Sequence, residues 1–371
     1  MRITVDSREL RRGISIVSDA LSNKPALPIL SAILIEAQAD LITLTASDLD
    51  ITLQTRVDAT VSEPGSVAVH GKILSEIINE WPDGDVELSS DDLSLVIQSD
   101  DKDFTINGQE PNDFPTVPMT EDGAVIAIGS GGIDADTLAD MIKKTSFAVS
   151  KDETRPVLQG VFFRSDEEGF AMVATDGHRL ACYTRDLMGL VDAEAILPLQ
   201  CLNIMSRICD GDGTINIGSS RLTVTVGPTT LVSRLIEGPY VDYKQIIPAP
   251  GDNQLHVEKE VLLPALRRVS ILSSQYTRQV NMSLKDDGIE LTAISAERGG
   301  DARESIPAEY TGKEMTMGYN AQYLQEILRM TSGIININFT NETTAAIIEE
   351  NNQASGRLFY LLMPLRPTNA D

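Results

Sequence analysis

The chain repeats itself, and this narrows its possible folds more than any other feature. Val5-Asp6-Ser7-Arg8-Glu9-Leu10, followed by Ile14, Val17 and Leu21, reads as a strand end, a capping aspartate and an amphipathic helix. The pattern returns 128 residues on as Ile133-Asp134-Ala135-Asp136-Thr137-Leu138 with Ile142. It returns again 124 residues later as Val257-Glu258-Lys259-Glu260-Val261-Leu262 with Leu266 and Val269. A second helix recurs: Leu74, Leu202 and Leu324 align, as do Ile77, Met205 and Ile327. A strand end does too, with Ala46-Ser47-Asp48 against Ala174-Thr175-Asp176, again 128 apart; the third copy keeps Leu291-Thr292-Ala293 without the aspartate. Separated segments sharing one offset identify a duplicated structural unit.

A length of 371 residues fits three such units of about 120 residues. Their expected bounds are 1–121, 125–249 and 252–371, joined by the loop-like Glu121-Asp122-Gly123 and Pro248-Ala249-Pro250-Gly251-Asp252. Between the helices run short alternating segments: 32–36, 41–47, 86–88, 93–97 and 104–106. Each repeat is therefore expected to be an α+β domain, two helices on one face of an antiparallel sheet. Each is also expected to close with a strand running into proline, at 114–118, 243–248 and 360–364. Pro264 is expected to delay the start of the third repeat's first helix.

The charge sum is −25, with a pI near 4.4. Spread evenly, it would repel nucleic acid and anionic membranes, so any DNA function needs the cations gathered on one face. The helices supply such a set. Arg8, Arg11 and Arg12, then Lys143 and Lys144, then Arg267 and Arg268 lie on the first helices; Lys72, Arg207 and Arg329 lie on the second. The ordinary alternative is a set of solvated helix faces, diluted by acids such as Asp140 and Glu326. No apolar run is long enough to cross a membrane, and the start lacks the apolar core of a signal peptide, so a cytoplasmic protein is expected. Cys182, Cys201 and Cys209 make no disulfide framework and read as small core residues.

Three stretches then resemble the bacterial DNA polymerase III beta subunit, the sliding clamp family. They are Leu27-Pro28-Ile29-Leu30, Ala174-Thr175-Asp176-Gly177-His178-Arg179-Leu180, and Tyr360-Leu361-Leu362-Met363-Pro364-Leu365-Arg366, supported by Asp113-Phe114-Pro115 and Asp242-Tyr243. The resemblance covers essentially the whole chain. It implies a non-catalytic processivity factor without cofactor or metal. Two chains close head to tail into a ring, with the helices around sequence-independent duplex DNA. Weak lumen contacts suit sliding, because a closed ring stays on by topology. Lys24, Lys151 and Arg155 match basic positions that the family turns toward DNA. Phe104 and Ile106 on one side, and Ile271 and Leu272 on the other, match the dimer interface.

The resemblance also implies a groove for short peptides of the polymerase and the clamp loader. Its residues would be Leu158, Thr175, Gly177, His178, Arg179, Leu180, Ile246, Leu361, Leu362, Met363, Pro364, Leu365 and Arg366, with Arg155 at the rim. Leucine, isoleucine and methionine make an adaptable apolar wall, and His178, Arg179 and the Thr175 hydroxyl are expected as polar fixing points. On the bare residues, Thr175-Asp176-Gly177 also reads as a tight turn with Asp176 bonding backbone amides. Val241 stands where the family often has proline, Pro156 and Val157 replace aromatic residues of some relatives, and the tail 367–371 runs past the usual end.

Enzyme readings find little support. No Gly-x-Ser-x-Gly elbow accompanies His178 and Asp176, and no glycine-rich phosphate loop appears. Asp210-Gly211-Asp212-Gly213 would need a glutamate where Arg221 stands to be a calcium loop. A metal-dependent hydrolase and an acidic protein-binding scaffold that does not encircle DNA are the remaining alternatives.

Overall fold

In a computed structural model, the structure describes residues 1–22, 25–91, 93–99, 101–119, 121–186, 191–286, 288–350 and 356–366. The aspartates at the repeat starts act as caps. Asp6 accepts the N–H groups of Arg8 and Glu9 at 2.9 and 3.4 Å and opens α1 (Ser7–Ser18). His70 precedes α2 (Gly71–Asn79) without a side-chain cap. Asp134 accepts from Asp136 and Thr137 at 3.0 and 3.3 Å and opens α3 (Ala135–Ser146); α4 spans Leu199–Ile208. In the third repeat α5 spans Lys259–Val269 after an uncapped Glu258, and Asn320 caps α6 (Ala321–Arg329). Pro264 does not delay α5, which begins at Lys259 and carries the proline inside; the missing N–H is tolerated because Leu262, Leu263, Ala265 and Leu266 around it are buried.

The aligned positions are the core. Leu10, Leu138, Leu262, Ile14, Ile142 and Leu266 are all buried, as are Leu74, Leu202 and Leu324. At the next aligned position Met205 and Ile327 are buried, but Ile77 is only half-buried and its neighbour Ile78 takes the core place. Among the described residues the strands form three sheets of thirteen, nine and four strands, every named pair antiparallel. The expected closing strand exists only in the third repeat, as Arg357–Leu362. In the first, Pro111–Asp113 is a 3-10 turn followed by irregular chain; in the second, Tyr243–Ile246 is a 3-10 turn. Proline at 111, 115 and 118 removes ladder donors there.

The chain divides into two compact units, residues 1–139 with 200–235, and 140–199 with 236–371. This division cuts through the central repeat, because each unit's largest sheet joins a terminal repeat to half of the central one. In the first unit Thr229–Arg234 pairs with Ile51–Asp58, and the hydroxyls of Thr55 and Thr229 meet at 2.9 Å. In the second, Arg179–Arg185 pairs with Arg357–Leu362.

Candidate functional site

The second of these junctions carries the central motif. The strands Gly169–Thr175 and Arg179–Arg185 are joined by a turn held from within. Asp176 Oδ1 accepts the N–H groups of His178 and Arg179 at 2.9 and 3.0 Å, as its place in a tight turn requires. The Thr175 hydroxyl donates to the Arg179 carbonyl at 2.6 Å and accepts from the Gly177 N–H at 3.1 Å. Gly177 has φ +90°, where a side chain is strained, and an added Cβ would stand 3.3 Å from Arg155 Nη1. Register places Leu180 opposite Leu361 and Arg179 opposite Leu362, and the Met363 N–H donates to the His178 carbonyl at 2.9 Å. Two motifs more than 180 residues apart thus become neighbours.

Strand alternation sends Arg179 and Leu180 to opposite faces. On one face Leu180 and Leu361 join Val173, Cys182, Tyr243, Ile347 and Phe359 in an apolar cluster. Phe162, Tyr240 and Ile247 pack against it, the rings of Phe162 and Tyr240 stacked at 5.0 Å. Nearby in sequence, Ile246 is 52 % exposed, and Met363 is 45 % exposed. Beyond Met363, Pro364 and Leu365 are half-buried and Arg366 is exposed; the Leu365 N–H donates to the Gly318 carbonyl at 2.7 Å, fixing the terminal segment. Leu158 is buried at the end of a 3-10 turn over Pro156–Leu158, and its carbonyl accepts from the Ser150 N–H. The tail 367–371 lies outside the described residues.

The other face corrects an expectation. Arg179 is only 7 % exposed and is not a free fixing point. Its Nε donates to Asp176 Oδ2 at 3.1 Å, Nη1 pairs with Glu326, and Nη2 donates to the Phe147 carbonyl at 2.8 Å. Its guanidinium carbon lies 5.1 Å from the ring centre of Phe147 and 4.5 Å from that of Tyr323. Burial pushes the Glu326 carboxyl up, but bonds from Gln322 and Arg179 outweigh it and hold the group below its ordinary value. The Thr175 hydroxyl is likewise spent on the turn. His178 remains exposed, its ring stacked on Tyr323 at 6.2 Å. Leu362 faces with Arg179 and is fully buried.

The helix cations divide into two groups. Lys144 pairs with Asp140 at 3.1 Å, Arg155 with Asp152 at 3.0 Å, Arg207 with Asp19 at 3.0 Å, and Arg268 with Glu304. Arg8 pairs with Asp6, and Arg11 with Asp83 while donating to the carbonyls of Ile78 and Trp81. Lys72, Lys143, Lys151, Arg267 and Arg329 are exposed, and so is Arg12; none forms an ion pair among the described residues. Lys24 lies outside the described residues.

Two strands beside the expected interface residues keep an open edge among the described residues. Lys102–Gln109 pairs with Ser94–Ser99 along its length but with Gly65–His70 only at Gly108 and Gln109. Among the described residues its stretch 102–107 therefore has one neighbour. Phe104 on this strand is 45 % exposed and meets Trp81 edge-on at 5.4 Å. Ile106, expected at the interface, is instead 5 % exposed and belongs to the core of its own repeat. In the third repeat Gly300–Ile306 pairs only with Gly288–Ser295 among the described residues. Ile271, beside this edge strand, is 62 % exposed, and Leu272 half-covers Gly300.

Three family models match in succession: the DNA polymerase III beta subunit N-terminal domain at residues 1–118, its central domain at 132–242 and its C-terminal domain at 244–366. The chain belongs to the beta sliding clamp family. Beta sliding clamps of Synechocystis and of Caulobacter vibrioides are each 29% identical to it, over 100% and 99% of the chain and the full length of each relative. The crystal structure of the Pseudomonas aeruginosa beta subunit superposes with a TM-score of 0.92 at 26% identity, covering 99% of this chain and 100% of that one. The Bacillus subtilis clamp does so at 0.92 and 27% with the same coverage. Clamps of Pseudomonas aeruginosa and Bartonella birtlesii have also been solved bound to griselimycin.

Sliding clamps are non-catalytic processivity factors of DNA replication, and the ring dimer is characteristic of the family. The cysteines of this clamp fit that passive role: burial pushes the thiols of Cys182, Cys201 and Cys209 up to about 12, so they stay protonated and unreactive. Among the described residues no helix is long and apolar enough to cross a membrane. Phe147, Tyr323 and Glu326 escaped sequence reasoning. Glu326 appeared only as a charge diluting the helix face, and its 147-residue separation from Arg179 hides their contact.

Proposed function

We propose that two copies of this clamp close head to tail by joining the open edge of 102–107 in one to the open edge of 300–306 in the other. The observation that carries this is the pair of incomplete edges, each with an exposed apolar side chain beside it: Phe104 on one, Ile271 on the other. An unpaired edge is a template for another strand. Covering two apolar side chains contributes roughly 1.5–3 kcal/mol each before ordering costs. Phe104, Ile271 and Leu272 form the contact, and Ile106 supports Phe104 from within. Sedimentation tests this: Ile271→Ala with Leu272→Ala gives monomers, whereas an intact dimer refutes the assignment.

Duplex DNA then meets Lys72, Lys143, Lys151, Arg267 and Arg329, which form no ion pair among the described residues, while Lys144, Arg155, Arg207 and Arg268 contribute less because their charges are compensated. Lys24 joins the first group by its family position. Few, weak phosphate contacts permit sliding. The groove bounded by exposed Ile246, Met363, His178 and Gly177, over the buried side chains of Leu180, Leu361 and Leu158, takes extended apolar peptide segments of the replicative polymerase and the clamp loader, and is where griselimycin binds. Burying two anchors in a shallow apolar site gives exchangeable binding, suited to partners that alternate.

A further inference from the structure

We infer that Arg179 is a positioning residue that latches the groove turn to α6 through Glu326, so that peptide affinity depends on an ion pair the peptide never touches. This rests on the groove reading proposed above. One guanidinium reaches three segments: Asp176 within the turn, the carbonyl of Phe147 just past α3, and Glu326 on α6. Glu326 is held in turn by Gln322 Nε2 at 2.8 Å, one helical turn earlier. Asp176 uses one oxygen for the backbone of the turn and the other for Arg179, so the latch and the turn share a single carboxylate.

Among the described residues the groove side of the same turn has no equivalent charged anchor. Leu180 and Leu361 rest on apolar contacts, which fix volume better than orientation. Met363 is tied to the turn by its N–H on the His178 carbonyl. A shift of the turn therefore moves Leu180, the His178 carbonyl and Met363 together. Tyr323 adds a second link, with one face toward Arg179 and its ring stacked on that of His178. A planar donor that serves three separate acceptors between two rings cannot be replaced by an ammonium, so lysine should not substitute.

Griselimycin affinity, measured by calorimetry on the full chain, tests the latch. Glu326→Gln keeps the shape and one hydrogen bond but removes the charge, and is expected to weaken binding about threefold to tenfold without changing the dimer. Arg179→Met is expected to lose more, and Arg179→Lys not to recover it. Hydrogen exchange of α6 supplies a readout that mere support would leave unmoved: griselimycin slows exchange over 324–329 in the native chain and not in Glu326→Gln. Should Arg179→Met fail to fold, Glu326→Gln decides alone. Leu361→Ser separates the two readings. If it abolishes binding while Glu326→Gln keeps native affinity and native exchange, the latch is wrong and the groove stands. If Leu361→Ser binds normally, the groove reading fails and the latch falls with it.

Discussion

The turn at Thr175–Arg179 has a twin 128 residues earlier, at Ser47–Ile51. In the twin, Asp48 Oδ1 accepts the N–H groups of Asp50 and Ile51 at 3.1 and 2.7 Å, as Asp176 does for His178 and Arg179. Ser47 Oγ donates to the Ile51 carbonyl at 3.2 Å and accepts from the Leu49 N–H at 3.2 Å, repeating Thr175. Leu49 sits at φ +82° where Gly177 sits at +90°. Even the neighbouring strand matches: the Arg234 N–H donates to the Asp50 carbonyl at 2.8 Å, as Met363 does to His178. The backbones are duplicates and the side chains are not. Buried Ile51 stands where Arg179 is latched to Glu326, and Arg234 stands where Met363 is exposed. The backbone of the turn is therefore the shared scaffold, and the two copies differ in the side chains on its two faces.

That contrast can be broken by experiment. The largest difference should come from the two aspartates. Asp176→Ala removes the acceptor of two backbone amides and a partner of a buried guanidinium, and is expected to cost about 3 kcal/mol or more. Asp48→Ala removes only the amide acceptors and is expected to cost about 1 kcal/mol. Equal losses in urea unfolding would mean that the latch adds nothing to the turn. The residue at positive φ comes next. Leu49→Gly relieves a left-handed backbone and is expected to stabilise by roughly 0.5–1 kcal/mol, while Gly177→Ala loses about as much. Opposite signs in thermal melts support equivalent turns; the same sign separates them.

The smallest effect is acidic. The Glu326 carboxyl lies below its ordinary value of 4.5 in the folded chain. Its contribution is therefore complete above that pH and fades as pH falls through the lower folded value. Unfolding profiles of the native chain and Glu326→Gln should differ by a constant amount at neutral pH and converge in acid. A gap that stays constant down through the acid range would show that the ion pair does not set this limb.

The sequence reveals what repeats and hides what does not. Leu10, Leu138 and Leu262 lie in the core because a helix packed on a sheet needs them at one period, and that period is local. Asp6 and Asp134 were legible as caps for the same reason. Pro264 was misread because tertiary burial overrides local propensity. A closing strand was expected in each repeat from its run into proline, but among these segments only Arg357–Leu362 finds a partner strand. Arg179 was expected as a free polar fixing point; its alternation with Leu180 is readable, whereas Phe147, Tyr323 and Glu326 converge on it only in the fold. Alternation likewise puts Ile106 on the face of Phe104, and only the fold shows that Ile106 is buried while Phe104 is exposed.

Enclosure of DNA by a closed pair of chains is the claim on which the others depend. Retention on circular duplex, measured by gel filtration after loading and again after one cut that linearises the circle, tests it most directly. The account predicts co-elution with the circle in salt that disrupts phosphate contacts, and release once an end is made. Equal retention on both forms, or loss from both, would contradict it.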